Sequence, residues 1–252
     1  MEERQLFSYI AGLPVGQVDW AEARSAEEAE ATVNVDNLPA GVVTGSNLLQ
    51  FDGETKPEIR SAVALSLLAA QRVAANDTVI VNPEEWIERH NTVLRNLNWL
   101  IDSGDAVDNE FKDFDVAVHD AIIPFLTTAL GPAATAASMI MSALKQLKEM
   151  DKGKPWITLF EQQSRRFDVS EYQFSYVDTE GDDTVLRMAA ARLDAKFGRT
   201  QVLFVKVKKE KAKFKAASST MRAQSALLQK MNEPLKLKLA AQTDAFIREL
   251  DI

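Results

Sequence analysis

The hydrophobic period of this chain changes after Gly153, and that change limits what it can fold into. Before Gly153, apolar residues recur at helical spacing; after it they alternate at strand spacing. In "TKPEIRSAVALSLLAAQRVAAN", Thr55 and Glu58 form a capping-box pattern around Pro57, and Ile59, Ala62, Val63, Leu67, Ala70 and Val73 share a face. In "NPEEW", Asn82 suits an N-cap, Pro83 the first helical position, and Glu84 and Glu85 the positive end of the dipole. The stripe Trp86, Ile87, Val93, Leu94, Leu97, Leu100 and Ile101 predicts a helix ending at Gly104. Two such helices joined by a short link predict an αα-hairpin lying on a flat surface.

Beyond Gly153, the segments 155–167, 171–179, 184–198 and 201–217 predict a four-stranded antiparallel meander with turns at "EGDD" (180–183) and "FGRT" (197–200). Tyr172, Phe174 and Tyr176 point one way, Gln173 and Ser175 the other; "LRMAAARL" reads as strand or helix. Further elements are a helix over 3–12, helix over 19–31, a strand over 31–38, a loop after it, and a short strand over 78–81. The tail ends in a helix, with a short strand allowed at 235–239. Ala121–Leu144 carries no charge over 24 positions, long enough to span a bilayer. Pro124 and Gly131-Pro132 interrupt it, so it reads as two packed helices joined near Gly131.

Charge is divided unevenly. From Lys196 to Ile252 there are 13 Lys+Arg against 5 Asp+Glu, and residues 1–195 hold 16 against 32. An acidic body with a basic C-terminal segment implies a directional surface, facing either an anionic partner or the acidic body itself. The basic density peaks in "QVLFVKVKKEKAKFKAA" (201–217), with Lys206, Lys208, Lys209, Lys211, Lys213 and Lys215 opposed by Glu210 alone. Leu203, Val205 and Val207 are out of phase with Ala212, Phe214 and Ala216, which predicts a bulge or a strand end near 208–211. Three readings of the run stay open. It is a solvated edge strand, a set of salt-bridge partners for the acidic body, or an attractor for anionic lipid. Nucleic acid is disfavoured by the overall charge of -8 and by the lack of interleaved aromatics beyond Phe214.

No glycine-rich phosphate loop, nucleophile elbow or zinc-helix motif occurs, and the chain has no cysteine. Disulfides, thiolate chemistry and S-acylation are thereby excluded. His90 lies at the edge of a helical stripe and reads as packed; His119 lacks a nucleophile motif nearby. Asp105, Asp108, Glu110, Asp113 and Asp115 lack calcium-loop spacing and read as a solvated loop. The expectation is a non-enzymatic protein with no cofactor and no metal. The start "MEERQLFSYIAGLPVG" is a poor secretory signal, so synthesis in the cytosol is expected, with release only by a route needing no cleaved leader.

The order of "EATVNVDNL", "EIRSAVALSLLAAQRVAAN", "ALGPAATAASMIMSAL", "PWITLFEQQ" and "QVLFVKV" resembles the Cyt-type cytolysin fold of the cytolytic delta-endotoxins, which volvatoxin-like and Evf-like virulence proteins are regarded as sharing, over about residues 29–250. The resemblance implies one α+β domain, a three-layer α/β/α sandwich with an antiparallel sheet flanked by helical hairpins. Its parts would be a helical extension (1–28), a first strand and helical hairpins (29–152), the meander (153–220) and a C-terminal helical segment (221–252). It also implies water-soluble monomers or homo-oligomers whose helices move aside so that sheet strands 155–167, 171–179, 184–196 and 201–216 meet lipid. The lysines 206–215 and Phe214 would be the lipid-binding residues and an anionic membrane the partner. Two features depart from the pattern: the basic run is too polar for a lipid-facing barrel strand, and no cysteine can carry an acyl chain. A soluble protein-interaction module on the same fold is the alternative reading.

Overall fold

The computed structural model describes residues 3–18, 33–107, 155–166, 169–194 and 213–249, together with Ile122, Phe125, Leu126, Ile140 and Ser142 as helical residues. In chain order the elements are α1 (Glu3–Ala11), β1 (Gly41–Thr44), β2 (Asn47–Phe51), α2 (Pro57–Ala75), α3 (Pro83–Asn96) and β3 (Leu100–Val107). There follow α4 (Pro155–Gln163), β4 (Arg165–Arg166), β5 (Val169–Glu180), β6 (Asp183–Asp194), β7 (Lys213–Gln224), α5 (Ser225–Phe246) and β8 (Ile247–Glu249). The sheet runs β3-β7-β6-β5-β2-β1-β8, with β4 also on β5. It is antiparallel except for β2 beside β5, so it is mixed.

Strands β5, β6 and β7 pair without a register break from Val169↔Asp194 to Glu180↔Asp183 and from Asp183↔Gln224 to Asp194↔Lys213. Because the side-chain period is two, this fixes two faces. Tyr172, Phe174 and Tyr176 share one with Ala191, Ala189 and Arg187; Glu171, Gln173 and Ser175 share the other with Arg192, Ala190 and Met188. Helix α4 covers the aromatic face, where the Phe160 ring lies 5.4 Å from Tyr172 and 5.8 Å from Phe174. Helix α2 lies on the other, where Arg60 sits over the Phe51 ring at 5.9 Å, and α3 reaches the same face through Glu84 and Arg192. Helices on both sides of one sheet make the α+β layered class expected from the resemblance.

The caps explain where the helices begin and end. Asn82 Oδ1 accepts from the Glu85 amide at 2.9 Å, as expected of an N-cap. The capping box at Thr55 is not formed: Lys56 occupies the N-cap without a side-chain bond, and Thr55 instead uses its carbonyl to accept from Arg60 Nε at 2.9 Å. Helix α3 stops at Asn96 rather than Gly104. Asn98 takes φ 62°, its amide donates to the Arg95 carbonyl at 3.0 Å and the Trp99 amide to that of Leu94 at 3.0 Å. This is a Schellman stop with asparagine in the left-handed position, closed by burial of Trp99 and Leu94. Leu100, Ile101 and Gly104 therefore belong to β3; the apolar run continued at helical spacing by coincidence.

Other expectations are corrected. The first strand is not 31–38, where a 3-10 turn at Val35–Asn37 forms under the Asn34 side chain. It lies in the stretch read as loop: "VVTGSNLLQF" is a hairpin with Thr44↔Asn47 paired around Gly45-Ser46. Gly45 at φ 56° fills the first central position, as in a type II′ turn. Residues 78–81 form a turn between α2 and α3, not a strand. The segment 155–167 is mainly helix: Trp156, Ile157, Leu159 and Phe160 are buried at helical spacing after Pro155. Residues 221–224 end β7, and 235–239 lie inside α5, which accommodates Pro234 and is tied to α2 by Ser61 Oγ donating to Asn232 Oδ1 at 2.7 Å. The helices expected over 19–31, most of the Ala121–Leu144 stretch, the 197–200 turn and the 208–211 phase change lie outside the described residues. Among the described residues, no helix is long and apolar enough to cross a membrane.

Glycine conformation gives a stability prediction. A Cβ at Gly45 would collide with Gln71 Oε1, which accepts from the Ser46 amide at 3.1 Å, while Gln71 Nε2 donates to the Thr44 carbonyl at 3.2 Å. Gly181, at φ 63°, has open space around it. Gly45→Ala should cost about 3 kcal/mol, combining left-handed strain with disturbed hydrogen bonds. Gly181→Ala should cost about 1 kcal/mol. Urea denaturation of the two variants measures both.

Candidate functional site

The centre of the sheet carries an inconsistency. Strands buried on both faces normally read as continuous apolar runs. Residues Ser170–Val177 of β5 are all buried, yet Tyr172–Tyr176 within them alternate aromatic and polar. On the aromatic side, Tyr172 Oη donates to Glu161 Oε2 at 2.9 Å. Burial, then the Glu161 charge, hold the Tyr172 phenol well above its ordinary pKa. Tyr176 Oη donates to Asp52 Oδ2 at 3.0 Å, and burial with that bond pushes its pKa up to about 12.

The polar side is only partly satisfied. Asn47 Nδ2 donates to Ser175 Oγ at 2.9 Å and approaches Met188 Sδ at 3.7 Å. Asn47 Oδ1, Gln173 Oε1, Thr44 Oγ1 and Ser46 Oγ are buried with no hydrogen-bond partner. Each orphaned group costs about 1–3 kcal/mol relative to its solvated state.

Charged rows bracket this central band. At one end, Glu171, Arg192 and Lys215 are cross-strand neighbours. Arg192 Nη2 donates to Glu171 Oε2 at 3.3 Å and Nη1 to Glu84 Oε1. The Arg192 bond lowers the Glu84 pKa, with a smaller effect from Lys215, which places that lysine near the first turn of α3. At the other end, Arg187 Nη1 donates to both Asp178 oxygens at 2.7 and 2.8 Å, Nη2 bonds Glu180, and Arg222 Nη1 donates to Glu180 Oε2 at 2.7 Å. The Arg222 bond lowers the Glu180 pKa.

Of the lysines singled out from sequence, Lys206, Lys208, Lys209 and Lys211 lie outside the described residues. Lys213 and Phe214 begin β7, and Lys215 is exposed. Strand β7 is interior between β6 and β3 over Ala216–Arg222, and Lys213–Lys215 pair with β6. His90 is packed as expected, stacked on Trp86 with centroids 5.3 Å apart. His119, Asp108, Glu110, Asp113 and Asp115 lie outside the described residues, and Asp105 is in β3. Among the described residues, no cluster of three His, Asp or Glu could hold a metal.

Sequence reading missed one feature. Val79 and Val81, in the α2–α3 turn, are 80% and 71% exposed. The signal was visible as three β-branched residues in a place that turn chemistry gives to Gly, Asn or Asp; their strand propensity drew the wrong conclusion.

No protein-family model matches the chain. No curated protein matches it either. Among solved structures, it is similar to one titled "delta-endotoxin", at 12% identity and TM-score 0.38, covering 78% of this chain and 86% of that one. It is also similar to the "Evf virulence factor", at 11% identity and TM-score 0.33, covering 92% and 90%. These are two of the proteins the sequence resemblance pointed to. At TM-scores under 0.5 the superposition is loose, and the functional reading stands on this chain's own residues.

The bracketing charges have measurable weights. Arg192→Met leaves Glu171, 5% exposed, buried without its cation and should cost about 3 kcal/mol in urea denaturation. Glu84→Gln removes a mostly exposed partner and should cost less than about 1 kcal/mol. Glu84 and Glu180 have folded pKa values below the ordinary 4.5, so their stabilisation is present above that pH and lost as pH falls through the lower folded values. The E84Q/E180Q double variant should therefore lose less Tm than the parent between about pH 5 and pH 3, as followed by circular dichroism.

Proposed function

We propose that this protein acts on lipid membranes without catalysis, as a cytolytic or virulence-type factor, with its sheet meeting the bilayer after the helices on both faces move aside. The observation that supports this is β5, a strand buried on both sides that alternates as membrane-facing strands do and leaves polar groups orphaned. Moving α2 and α3 away would return Asn47, Gln173, Thr44 and Ser46 to water. Moving α4, whose Phe160 packs on Tyr172 and Phe174, would free the aromatic face of Tyr172, Phe174 and Tyr176, flanked by Ala189, Ala191 and Ala216, to contact lipid.

The charges limit how deep the strands can go. The uncharged stretches are Tyr172–Val177 in β5, Met188–Ala191 in β6 and Ala216–Met221 in β7. Six residues of strand span about 20 Å, and four span about 13 Å. The apolar band of a spanning barrel is about 25 Å tall. The geometry favours embedding in and disrupting a bilayer over a spanning barrel built from these strands. Lys213 and Lys215, continuing the basic run from Lys206, are the proposed contacts for anionic headgroups.

Vesicle flotation and dye release with phosphatidylcholine alone and with added phosphatidylserine test this, alongside hydrogen exchange of the α2 amides. Binding, release and faster α2 exchange on vesicles are expected. Lys215→Glu should weaken binding to the anionic vesicles about fivefold. Absence of binding and of release with both compositions overturns the lipid reading; stable capture of a protein partner in its place supports an interaction module.

A further inference from the structure

We propose that the α2–α3 turn is the first point of membrane contact, an apolar tip of Val79, Ile80 and Val81 that enters the bilayer interface while the fold is still closed. This rests on the lipid reading above, but it concerns a different part of the molecule and precedes any movement of the helices.

The tip is built rather than loose. The Val79 amide donates to Asp77 Oδ1 at 3.2 Å, the Ile80 amide to the Asp77 carbonyl at 3.2 Å, and the Val81 amide to Glu85 Oε2 at 3.2 Å. Asn82 then caps α3. Three successive amides are satisfied within the turn, while two of the three side chains between them point into solvent. Satisfied backbone donors are what a segment needs to leave water for lipid without a hydrogen-bond penalty. A turn needing only solubility would place Gly, Asn or Asp here.

The charges beside the tip also suit a bilayer. Asp77 is paired with Arg89 at 3.4 Å and Glu84 with Arg192, so each of these two carboxylates has a cation against it, while the exposed Glu85 carboxylate is engaged by the Val81 amide. The exposed Lys215 is the cross-strand neighbour of Arg192, which holds Glu84, at the end of β7 from which the basic run leads. A protein partner is a poorer occupant: a stable interface buries about 800 Å² on each side, far more than a three-residue convex turn offers. A bilayer interface demands no complementary shape and takes apolar tips flanked by cations.

The absence of cysteine allows a direct test. Val79→Cys labelled with an environment-sensitive nitrobenzoxadiazole dye places one probe on the tip of the full chain. With vesicles of phosphatidylcholine and phosphatidylserine at 3:1, the dye emission should shift to the blue and be quenched by spin-labelled lipid. The double variant V79D/V81D should bind those vesicles at least tenfold more weakly, with its thermal unfolding unchanged because both side chains are already in water. Binding by the parent with an unshifted dye and undiminished binding by V79D/V81D overturns the tip while leaving the lipid reading intact. No binding by the parent overturns both. Concentration-dependent dimerisation that V79D/V81D abolishes, without a vesicle-induced shift, assigns the tip to a second copy of the chain and overturns the proposal.

Discussion

The two-sided burial of β5 is the constraint on which the remaining structure depends. This strand pairs with β6 along its whole length, with β2 in parallel and with β4, and it carries both halves of the core. Its aromatic residues anchor α4, and its polar residues must be accommodated under the opposite helical layer. An interior strand with one apolar face would let the second face remain wet. Here that face is covered, and the covering is completed by hydrogen bonds from Asn47, while Gln71 braces the neighbouring β1–β2 turn.

That arrangement sets one free-energy balance for the fold. The helical layer gains apolar burial from residues such as Val63, Leu67 and Leu94. It loses part of that gain to polar atoms that find no partner. The uncharged band is short, bounded by Glu171 and Asp178 on β5 and by Arg187 and Arg192 on β6. The same charges are well paired, so they stabilise the observed packing.

Some of this was legible in the residues. Asn82-Pro83 marked the start of α3, the "EGDD" turn marked the β5–β6 hairpin, and the split of Tyr172, Phe174 and Tyr176 from Gln173 and Ser175 was read correctly. The errors fell where two local signals competed. Gly45-Ser46 was taken as loop because glycine and proline density outweighed a two-residue hairpin turn between apolar runs. Leu100 and Ile101 extended a helical stripe because nothing in a hydrophobic pattern reports a left-handed asparagine. Residues 155–163 have apolar neighbours that satisfy both periods over so short a length, and only burial of Trp156, Ile157, Leu159 and Phe160 along one face distinguishes them.

By itself the sequence determined the absence of thiol chemistry, the basic C-terminal asymmetry and the alternation of Tyr172 to Tyr176, since these depend on composition and on spacing within one element; the α+β class came from the resemblance in the order of its segments. The tertiary structure alone decided that the alternating strand is buried on both faces, that β2 joins it in parallel, and that Val79 and Val81 stand in solvent. Those properties depend on which elements lie against each other. Burial and exposure are set by distant partners, and a local pattern of residues does not carry them.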